Sequence, residues 1–484
     1  MEEREGILAQ TFPQMPVSVT PPGLEAIYSA CRRLYPDQVN PLQVTAVMKY
    51  WRGGPDPLDY ISMYANPGDA SLNVPPHWHY VSFGLSDLHG DGRVHEGTGE
   101  NGISGFGFEL TMRLKRETGE TAPPTWPASL MQALARYVFQ SDNTLCCGDH
   151  VPWHSPLDGS ESRIQHMVMA EDPQLKMIQT PFGSVNFVQI VGVCAEEIKA
   201  AQHWNGAGVI ELLKSQPVAG GPWLISSMRR GETIFEIDPQ LQERVDHGIE
   251  AEGSNLSGVS SKCSWEEGEG QNEENKDKEN RVLVEGDRRG STETVDRPRI
   301  SAFESEQIKA ALKKGLSTAK PPLPPIKSDT LDPHDNTHRE HSRDNSRKES
   351  FDSNGSGDGP TELLRTRVIE SINLKFNLEA GQLLPLALRG RLRHGRHFTF
   401  KSVMNDVAIT LVSTSVVGSI ADEQHPFAAH GPWLHILIAE DFIEEMLKDF
   451  ECLSEPNEID LPKVFSWPER KLSITVIPEE IPRG

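Results

Sequence analysis

The densest group of chemically reactive side chains lies in one stretch, Cys146-Cys-Gly-Asp-His-Val-Pro-Trp-His154. Thiols, imidazoles and a carboxylate are the donor types that bind zinc. Two further imidazoles, His77 and His79, would lie on the same side of a strand and could complete a metal site. Adjacent cysteines do not easily bind one tetrahedral ion, however, and the usual paired ligand spacing is missing. The stretch therefore favours a hydrogen-bonded structural or recognition site, and we expect no cofactor.

Other classes of catalysis lack their sequence signatures. The chain has no Gly-x-Ser-x-Gly elbow, no protease-type cysteine context and no Walker phosphate loop. Gly105-Phe-Gly-Phe108 lies in an alternating stretch, so its glycines indicate packing or a bulge rather than phosphate binding. We expect that the chain is not an enzyme. The enzyme alternative that stays open is a metal-dependent hydrolase using His77, His79, Asp149, His150 and His154.

The composition limits the class of protein. With 47 basic and 70 acidic residues among 484, the formal net charge is −23, which disfavours a general nucleic-acid binder. Six scattered cysteines predict free thiols rather than a disulfide framework. No apolar run is long enough to span a membrane, and the first residues do not resemble a secretion signal. We therefore expect an intracellular, soluble protein without direct nucleic-acid or membrane binding.

The helices and strands that must position these groups indicate an α+β fold with two mixed domains. Periodicity indicates helices over 23–34, 127–140 and 195–214, with the last one broken at Asn205-Gly206, and strands over 42–50, 106–114 and 185–193. Thr125 is a plausible cap for the second helix. Strands and helices follow no regular βα repeat, which is typical of the α+β class. We predict a flexible tail over 1–20, an N-terminal domain over 21–256 and a C-terminal domain over 257–484.

The strand predicted over 106–114 has the clearest alternation. Its apolar residues, from Phe106 to Leu114, should face inward. Its polar residues, Glu109, Thr111 and Arg113, should then face outward into solvent.

The second domain is predicted to be β-rich, with at least one helix. Strands are predicted over 370–377, 383–393, 397–401, 408–413 and 471–477, and 434–450 should begin as a strand and end as a helix. The basic stretch Arg389–His397 is interpreted as strands with one solvated basic face, joined by a turn at Gly395. A contact with nucleic acid or an acidic partner is the alternative for this stretch.

Residues 266–360 differ from the rest of the chain and predict a long disordered insert in the second domain. They contain only two aromatic residues and are rich in charged and small polar residues, so they cannot bury enough apolar surface to fold. Ser301–Lys314 has a capping-box pattern and could form a partner-induced helix. Ser346 and Ser350 surround Arg347-Lys348, a context that predicts phosphorylation of both serines.

Several stretches of the chain resemble the Suppressor of fused family of Hedgehog-pathway regulators. The resemblance covers about 21–265 and 361–475, and the insert matches in the Ser346/Ser350 pair. The stretches that carry it include Cys31–Gln38, Gly53–Tyr60, His77–Asp87, Ala133–Gln140, Glu161–His166, Arg229–Asp238, Ser254–Val259, Leu388–Leu392 and His394–Phe400.

The resemblance implies a non-enzymatic repressor that binds Gli/Cubitus interruptus zinc-finger transcription factors. In this family, two domains close around a Ser-Tyr-Gly-His segment that adds as a β-strand between them. Retention of these factors in the cytoplasm and repression in the nucleus are implied functions. A Fused-type kinase, a kinesin-like pathway scaffold and nuclear corepressors are implied as further partners. A general scaffold without preference for Gli is the alternative.

The resemblance also implies five peptide-binding residues. Tyr137 and Asp149 match the residues that surround the histidine of the peptide, where a carboxylate would strengthen a charge-assisted bond. Val259 matches the strand that pairs with the peptide. Glu379 and Leu383 match residues of the opposite wall.

Overall fold

The computed structural model describes residues 20–268, 366–404, 407–454 and 459–478. The described residues divide into two compact units: the first ends at 243, apart from 202–204, and the second contains those three residues and the described residues from 244 onward. Both units mix helices with sheets, which confirms the α+β class. Most of the predicted tail, the segment 301–314 and both serines predicted to be phosphorylated lie outside the described residues.

The first unit is built on one eight-stranded sheet. Its strands run in the order β1-β2-β3-β4-β8-β6-β5, and β7 pairs with β8; only β4 and β8 are parallel. These strands are β1 (Leu42–Thr45), β2 (Tyr60–Asn66), β3 (His77–Phe83), β4 (Ile103–Lys115), β5 (His150–Pro152), β6 (His166–Glu171), β7 (Ile178–Thr180) and β8 (Gly183–Val193). The accompanying helices are α1 (Pro22–Leu34), α2 (Trp126–Ser141), α3 (Ala195–His203), α4 (Gly206–Ser215), α5 (Ile234–Ile237) and α6 (Gln240–Glu252), and the division between units falls within α6.

The helices of this unit follow local sequence signals closely. In α1, Leu24, Ile27 and Cys31 share one buried face, because their spacing of three and four matches the helical repeat. Asn205 caps α4 by accepting a hydrogen bond from Gly208 N (2.6 Å), which confirms the predicted break. Thr125 occupies the N-cap position of α2, as predicted, but its side chain makes no capping hydrogen bond.

Strand β4 contradicts the prediction of a solvated polar face. Glu109, Thr111 and Arg113 are each 0% exposed. The sheet is covered on both sides, so alternation on a central strand separates polar from apolar residues without placing either in water. Glu109 accepts hydrogen bonds from the main chain of Gly84 (2.9 Å) and Ser86 (3.0 Å), and burial raises the pKa of its carboxyl.

The two glycines of the β4 motif, Gly105 and Gly107, allow a bulge in the strand, as expected. Gly105 and Gly107 have φ of 56° and 83°, and the register with β8 shifts between Ile103 and Phe108. A Cβ on Gly105 would lie 2.7 Å from Leu85 O, which is too close for any other residue. The predicted strand over 42–50 is shorter than expected, because β1 ends at Thr45.

The second unit contains two sheets around one core. The six-stranded sheet has the order β11-β15-β16-β14-β13-β9, and the four-stranded sheet has the order β10-β12-β18-β17. The strands are β9 (Gly258–Ser261), β10 (Cys263–Glu267), β11 (Thr366–Val368), β12 (Ile372–Asn377), β13 (Phe398–Ser402), β14 (Ala408–Val412), β15 (Phe427–His430), β16 (Trp433–Leu437), β17 (Lys463–Trp467) and β18 (Leu472–Ile477). The helices are α7 (Leu378–Gly381), α8 (Leu384–Gly390) and α9 (Glu440–Asp449).

The strand predicted over 383–393 is wrong, because this segment forms helix α8 and a 3-10 turn over Leu392–His394. Leu384, Ala387 and Leu388 are fully buried at helical spacing. The basic stretch is therefore not a pair of strands, although the turn at Gly395 is present. The insert also begins later than 266, since Glu266 and Glu267 pair with β12.

Candidate functional site

A tight turn positions Asp149, one of the residues implied to bind peptide. Asp149 N donates to Cys146 O (3.0 Å), and Cys146 N donates to Asp149 Oδ2 (2.8 Å). Gly148 occupies the position with φ of 90°, which glycine adopts at low cost. Gly206 packs against this turn so closely that a Cβ there would lie 2.0 Å from Gly148 O. The half-buried carboxylate is thus held by the main-chain N–H of Cys146.

Asp149 immediately precedes the last strand of the eight-stranded sheet. Among the described residues, β5 pairs with β6 alone. Asp149 extends this pairing, since its carbonyl accepts from Met169 N (2.8 Å). The outer edge of β5 therefore offers main-chain groups for a further strand.

Tyr137 lies in the last full turn of α2, twelve positions before Asp149 in the same unit, and is half-buried. Its hydroxyl accepts a hydrogen bond from Asn143 Nδ2 (3.1 Å). A phenol that accepts one hydrogen bond keeps its own proton to donate. Tyr137 can therefore still bind an acceptor.

Val259 lies on β9, which is the terminal strand of the six-stranded sheet. This strand runs parallel to β13, with Val259 opposite Phe400. In the described part of the chain, β9 has no strand on its other side. Val259 thus occupies a sheet edge in the second unit, as Asp149 does in the first.

Glu379 and Leu383 belong to the same unit as Val259. Glu379 belongs to the short helix α7, which packs against β9. Leu383 and Val259 are partly buried against the same hydrophobic core. The structure therefore places three of the five implied residues in the second unit and Tyr137 and Asp149 in the first.

The histidines of the hydrolase alternative belong to a different, buried network centred on Arg113. This arginine donates to His77 Nε2 (2.9 Å), Gln174 Oε1 (2.8 Å) and Gln189 Oε1 (3.2 Å). Because arginine is only a donor, His77 accepts at Nε2 and carries its proton on Nδ1, which donates to Pro75 O (2.9 Å). Burial and the Arg113 charge lower the pKa of His77 to about 3. His77 is therefore neutral and has no lone pair left for a metal.

Asp172 supplies the negative charge of this network. Its carboxylate accepts from Arg113 Nη2 (2.9 Å) and His79 Nε2 (3.0 Å). His79 Nδ1 in turn accepts from the Tyr35 hydroxyl (2.7 Å), which accepts from Asn66 Nδ2 (2.9 Å). Burial would raise the pKa of Asp172, but Arg113 and His79 together lower it well below its usual range. Burial and Arg113 also lower the pKa of His79 to about 4, so the network holds one balanced ion pair and neutral imidazoles.

The structure does not gather the five hydrolase residues into one site. His77 and His79 use their ring nitrogens within the buried network, and the ring of His154 packs edge-on against His166. Within the described ranges, no group of three or more His, Cys, Asp or Glu side chains could hold a metal ion. The six cysteines are free, as their spacing predicted.

Sequence reasoning missed two groups of arginine side chains. Arg113 was expected in solvent, and its partner Asp172 was not singled out. Arg391 and Arg396 belong to the basic stretch, but the strand interpretation did not bring them together. The only signal for the first group was a charge within a strongly apolar strand.

Two sequence profiles match the chain. One, described as the Suppressor of Fused Gli/Ci N terminal binding domain, matches residues 243–476, and the Suppressor of fused protein profile matches 54–231. None of the helices within the described ranges is long and apolar enough to cross a membrane.

Individual relatives agree with these profiles. The chain is 61% identical to the human protein named Suppressor of fused homolog over 461 residues, which is 95% of this chain and 92% of that protein. The mouse protein of the same name gives the same figures. The crystal structure of Drosophila Suppressor of Fused is similar with a TM-score of 0.67 and 36% identity, over 95% of this chain and 98% of that one. With both units matched at this level, the chain belongs to the Suppressor of fused family.

Proposed function

We propose that this chain is a non-enzymatic negative regulator of Hedgehog signalling that binds Gli/Cubitus interruptus transcription factors. The binding element is a Ser-Tyr-Gly-His segment, which adds as a β-strand to both units. Binding retains the factors in the cytoplasm and represses transcription in the nucleus. The description of the profile matched by residues 243–476 supports this partner class.

The observation that carries the proposal is the position of Asp149 and Val259. Each lies at the last strand of its sheet, in a different unit of the chain. An open strand edge presents main-chain donors and acceptors, which an extended peptide satisfies whatever its side chains are. Two such edges at the implied residues support a peptide strand shared by the two units.

Side chains near these edges provide the specificity. The carboxylate of Asp149 pairs with the imidazole of the peptide histidine by a charge-assisted hydrogen bond, and Tyr137 orients the ring. Glu379 and Leu383 contact the peptide from the second unit. Phosphorylation of Ser346 and Ser350 regulates the complex, and a Fused-type kinase, a kinesin-like scaffold and nuclear corepressors are further partners.

Calorimetric titration with a Gli-derived Ser-Tyr-Gly-His peptide tests the proposal. Asp149→Asn keeps an oxygen that can accept from Cys146 N but removes the charge. We expect one-to-one binding by the parent chain and affinity about 10 to 100 times weaker in the variant, the usual effect of losing a charged hydrogen bond.

The control is Asp37→Asn, the same change at an exposed position, which should bind like the parent chain. A second peptide with alanine in place of histidine should bind the parent chain as weakly as Asp149→Asn binds the original peptide. Equal affinity for both peptides would favour the general scaffold, and absence of binding to either would refute the Gli proposal.

A further inference from the structure

The basic stretch folds into a turn that places two arginines side by side. Arg396 N donates to Arg391 O (3.0 Å), and Gly395 N donates to Leu392 O (3.0 Å). Gly395 has φ of 67°. These two hydrogen bonds and the left-handed glycine define a Schellman motif. The residues at its two ends often make an apolar contact, but here both positions are arginine.

The two guanidinium groups converge on one carbonyl oxygen. Arg391 Nη1 lies 2.8 Å and Arg396 Nη1 lies 3.3 Å from Ser254 O. Arg391 also donates from Nε to His397 O (3.0 Å) and is only 8% exposed, whereas Arg396 is exposed. Two full positive charges therefore share acceptors that carry only partial negative charge.

The neighbouring arginines show that this arrangement is specific to the pair. Arg389 pairs with Asp246 (3.0 Å), and Arg393 pairs with Glu444. Neither Arg391 nor Arg396 has a carboxylate within 4.0 Å among the residues that the structure describes. Burying a cation without a counter-ion is costly, and a second cation beside it adds repulsion.

Two histidines, His394 and His397, lie beside the pair in the same stretch of chain. The ring of His394 lies against Gly253, and its Nε2 is shielded from solvent without a hydrogen-bond partner in the described part of the chain. Burial and the charge of Arg396 lower the pKa of Arg391 to about 10. Burial and the charge of Arg391 also lower the pKa of His397 from its usual value. The local field is thus positive in a chain whose formal net charge is −23.

We propose that Arg391 and Arg396 form a binding site for a phosphate oxyanion. Two guanidinium groups match the charge of a phosphate dianion, and their planar forks suit its oxygens. The bound group is inorganic phosphate or a phosphorylated side chain, since both present the same three terminal oxygens. This site is separate from the proposed peptide contacts at Asp149 and Val259.

Titration of the full chain with inorganic phosphate at constant ionic strength tests the site. The test variant is Arg396→Gln, because Arg396 is exposed and the chain should fold without it. The matched control is Arg393→Gln, a neighbouring exposed arginine that pairs with Glu444. We expect saturable binding by the parent chain, affinity about tenfold weaker in Arg396→Gln, and a change within about twofold in the control.

Three ligands distinguish the source of the phosphate. A phosphoserine peptide that binds more tightly than inorganic phosphate, while its unphosphorylated form does not bind, identifies a phosphorylated protein. Equal affinity of the phosphopeptide and inorganic phosphate identifies the free ion. A DNA oligonucleotide that binds more tightly than either would overturn the proposal in favour of a phosphodiester backbone. Absence of saturable phosphate binding, or equal binding by Arg396→Gln, would also overturn it.

Discussion

Each unit buries an arginine, but the two arginines have opposite surroundings. Arg113 is 0% exposed and meets the Asp172 carboxylate and three neutral acceptors. Arg391 is 8% exposed and meets two carbonyl oxygens and the cation of Arg396. The first network is electrically balanced within the chain, whereas the second is not.

This difference separates a structural role from a binding role. A buried ion pair with all donors satisfied requires nothing from outside, and breaking it leaves a charge without a partner. A pair of like charges without a counter-ion is stabilised by an external anion. The histidines that resemble metal ligands, His77 and His79, thus belong to the structural class.

Replacing Arg113 by glutamine should give the largest effect. Arg113→Gln leaves Asp172 buried without a counter-ion, so we expect the free energy of unfolding to fall by about 3–5 kcal/mol. Urea denaturation followed by tryptophan fluorescence measures this change. A loss below about 1 kcal/mol would show that the ion pair contributes little.

Arg391→Gln is the matched change in the second unit, and its cost should be smaller. It removes hydrogen bonds to two carbonyls but leaves no unpaired acid and relieves repulsion from Arg396. We expect a loss of about 1–2 kcal/mol in chloride buffer, by the same denaturation measurement. Equal losses for Arg113→Gln and Arg391→Gln would remove the basis of the comparison.

Acidification should weaken the first network. The pKa values of His77 and His79 are lowered to about 3 and 4, so the folded chain keeps them neutral while the unfolded chain takes up protons below about pH 6.5. Stability should therefore fall as the pH decreases from about 6.5 to 4, by at most about 1.4 kcal/mol per pH unit for each histidine.

The pH dependence of urea denaturation measures this effect. His79→Asn should reduce the slope in this window, because it removes one of the two neutral imidazoles. A slope unchanged by His79→Asn would contradict the assignment of a neutral imidazole to the network.

The smallest effect on stability is expected at Arg396. Without phosphate, Arg396→Gln should change the free energy of unfolding by no more than about 0.5 kcal/mol, because the residue is exposed. Phosphate should raise the unfolding temperature of the parent chain but not of this variant, relative to chloride at equal ionic strength. Differential scanning calorimetry measures both, and equal phosphate stabilisation of the two proteins would contradict the anion site.

Local patterns predicted many elements correctly because helical spacing and capping act between near neighbours. The apolar face of α1 and the break at Asn205 are examples. The segment 383–393 was predicted incorrectly, since a short apolar run fits either a strand or a helix. The buried residues Leu384, Ala387 and Leu388 show that it packs with helical spacing.

The candidate peptide site came from the resemblance, because neither Asp149 nor Val259 has a pattern of its own. The fold adds that both occupy terminal strands, which depends on pairings between distant parts of the chain. The sequence cannot reveal such an edge without the complete strand order.

The sequence by itself determined the family, the α+β class and most helices and strands, because these depend on local periodicity and on long identical stretches. Only the tertiary structure decided where the charges lie. It covered the polar face of β4, so that Arg113 meets Asp172 across the sheet. It also folded 391–396 into a turn that places the positive charges of Arg391 and Arg396 side by side. Pairing and repulsion of charges depend on distances between side chains, and these distances are fixed only when the chain packs.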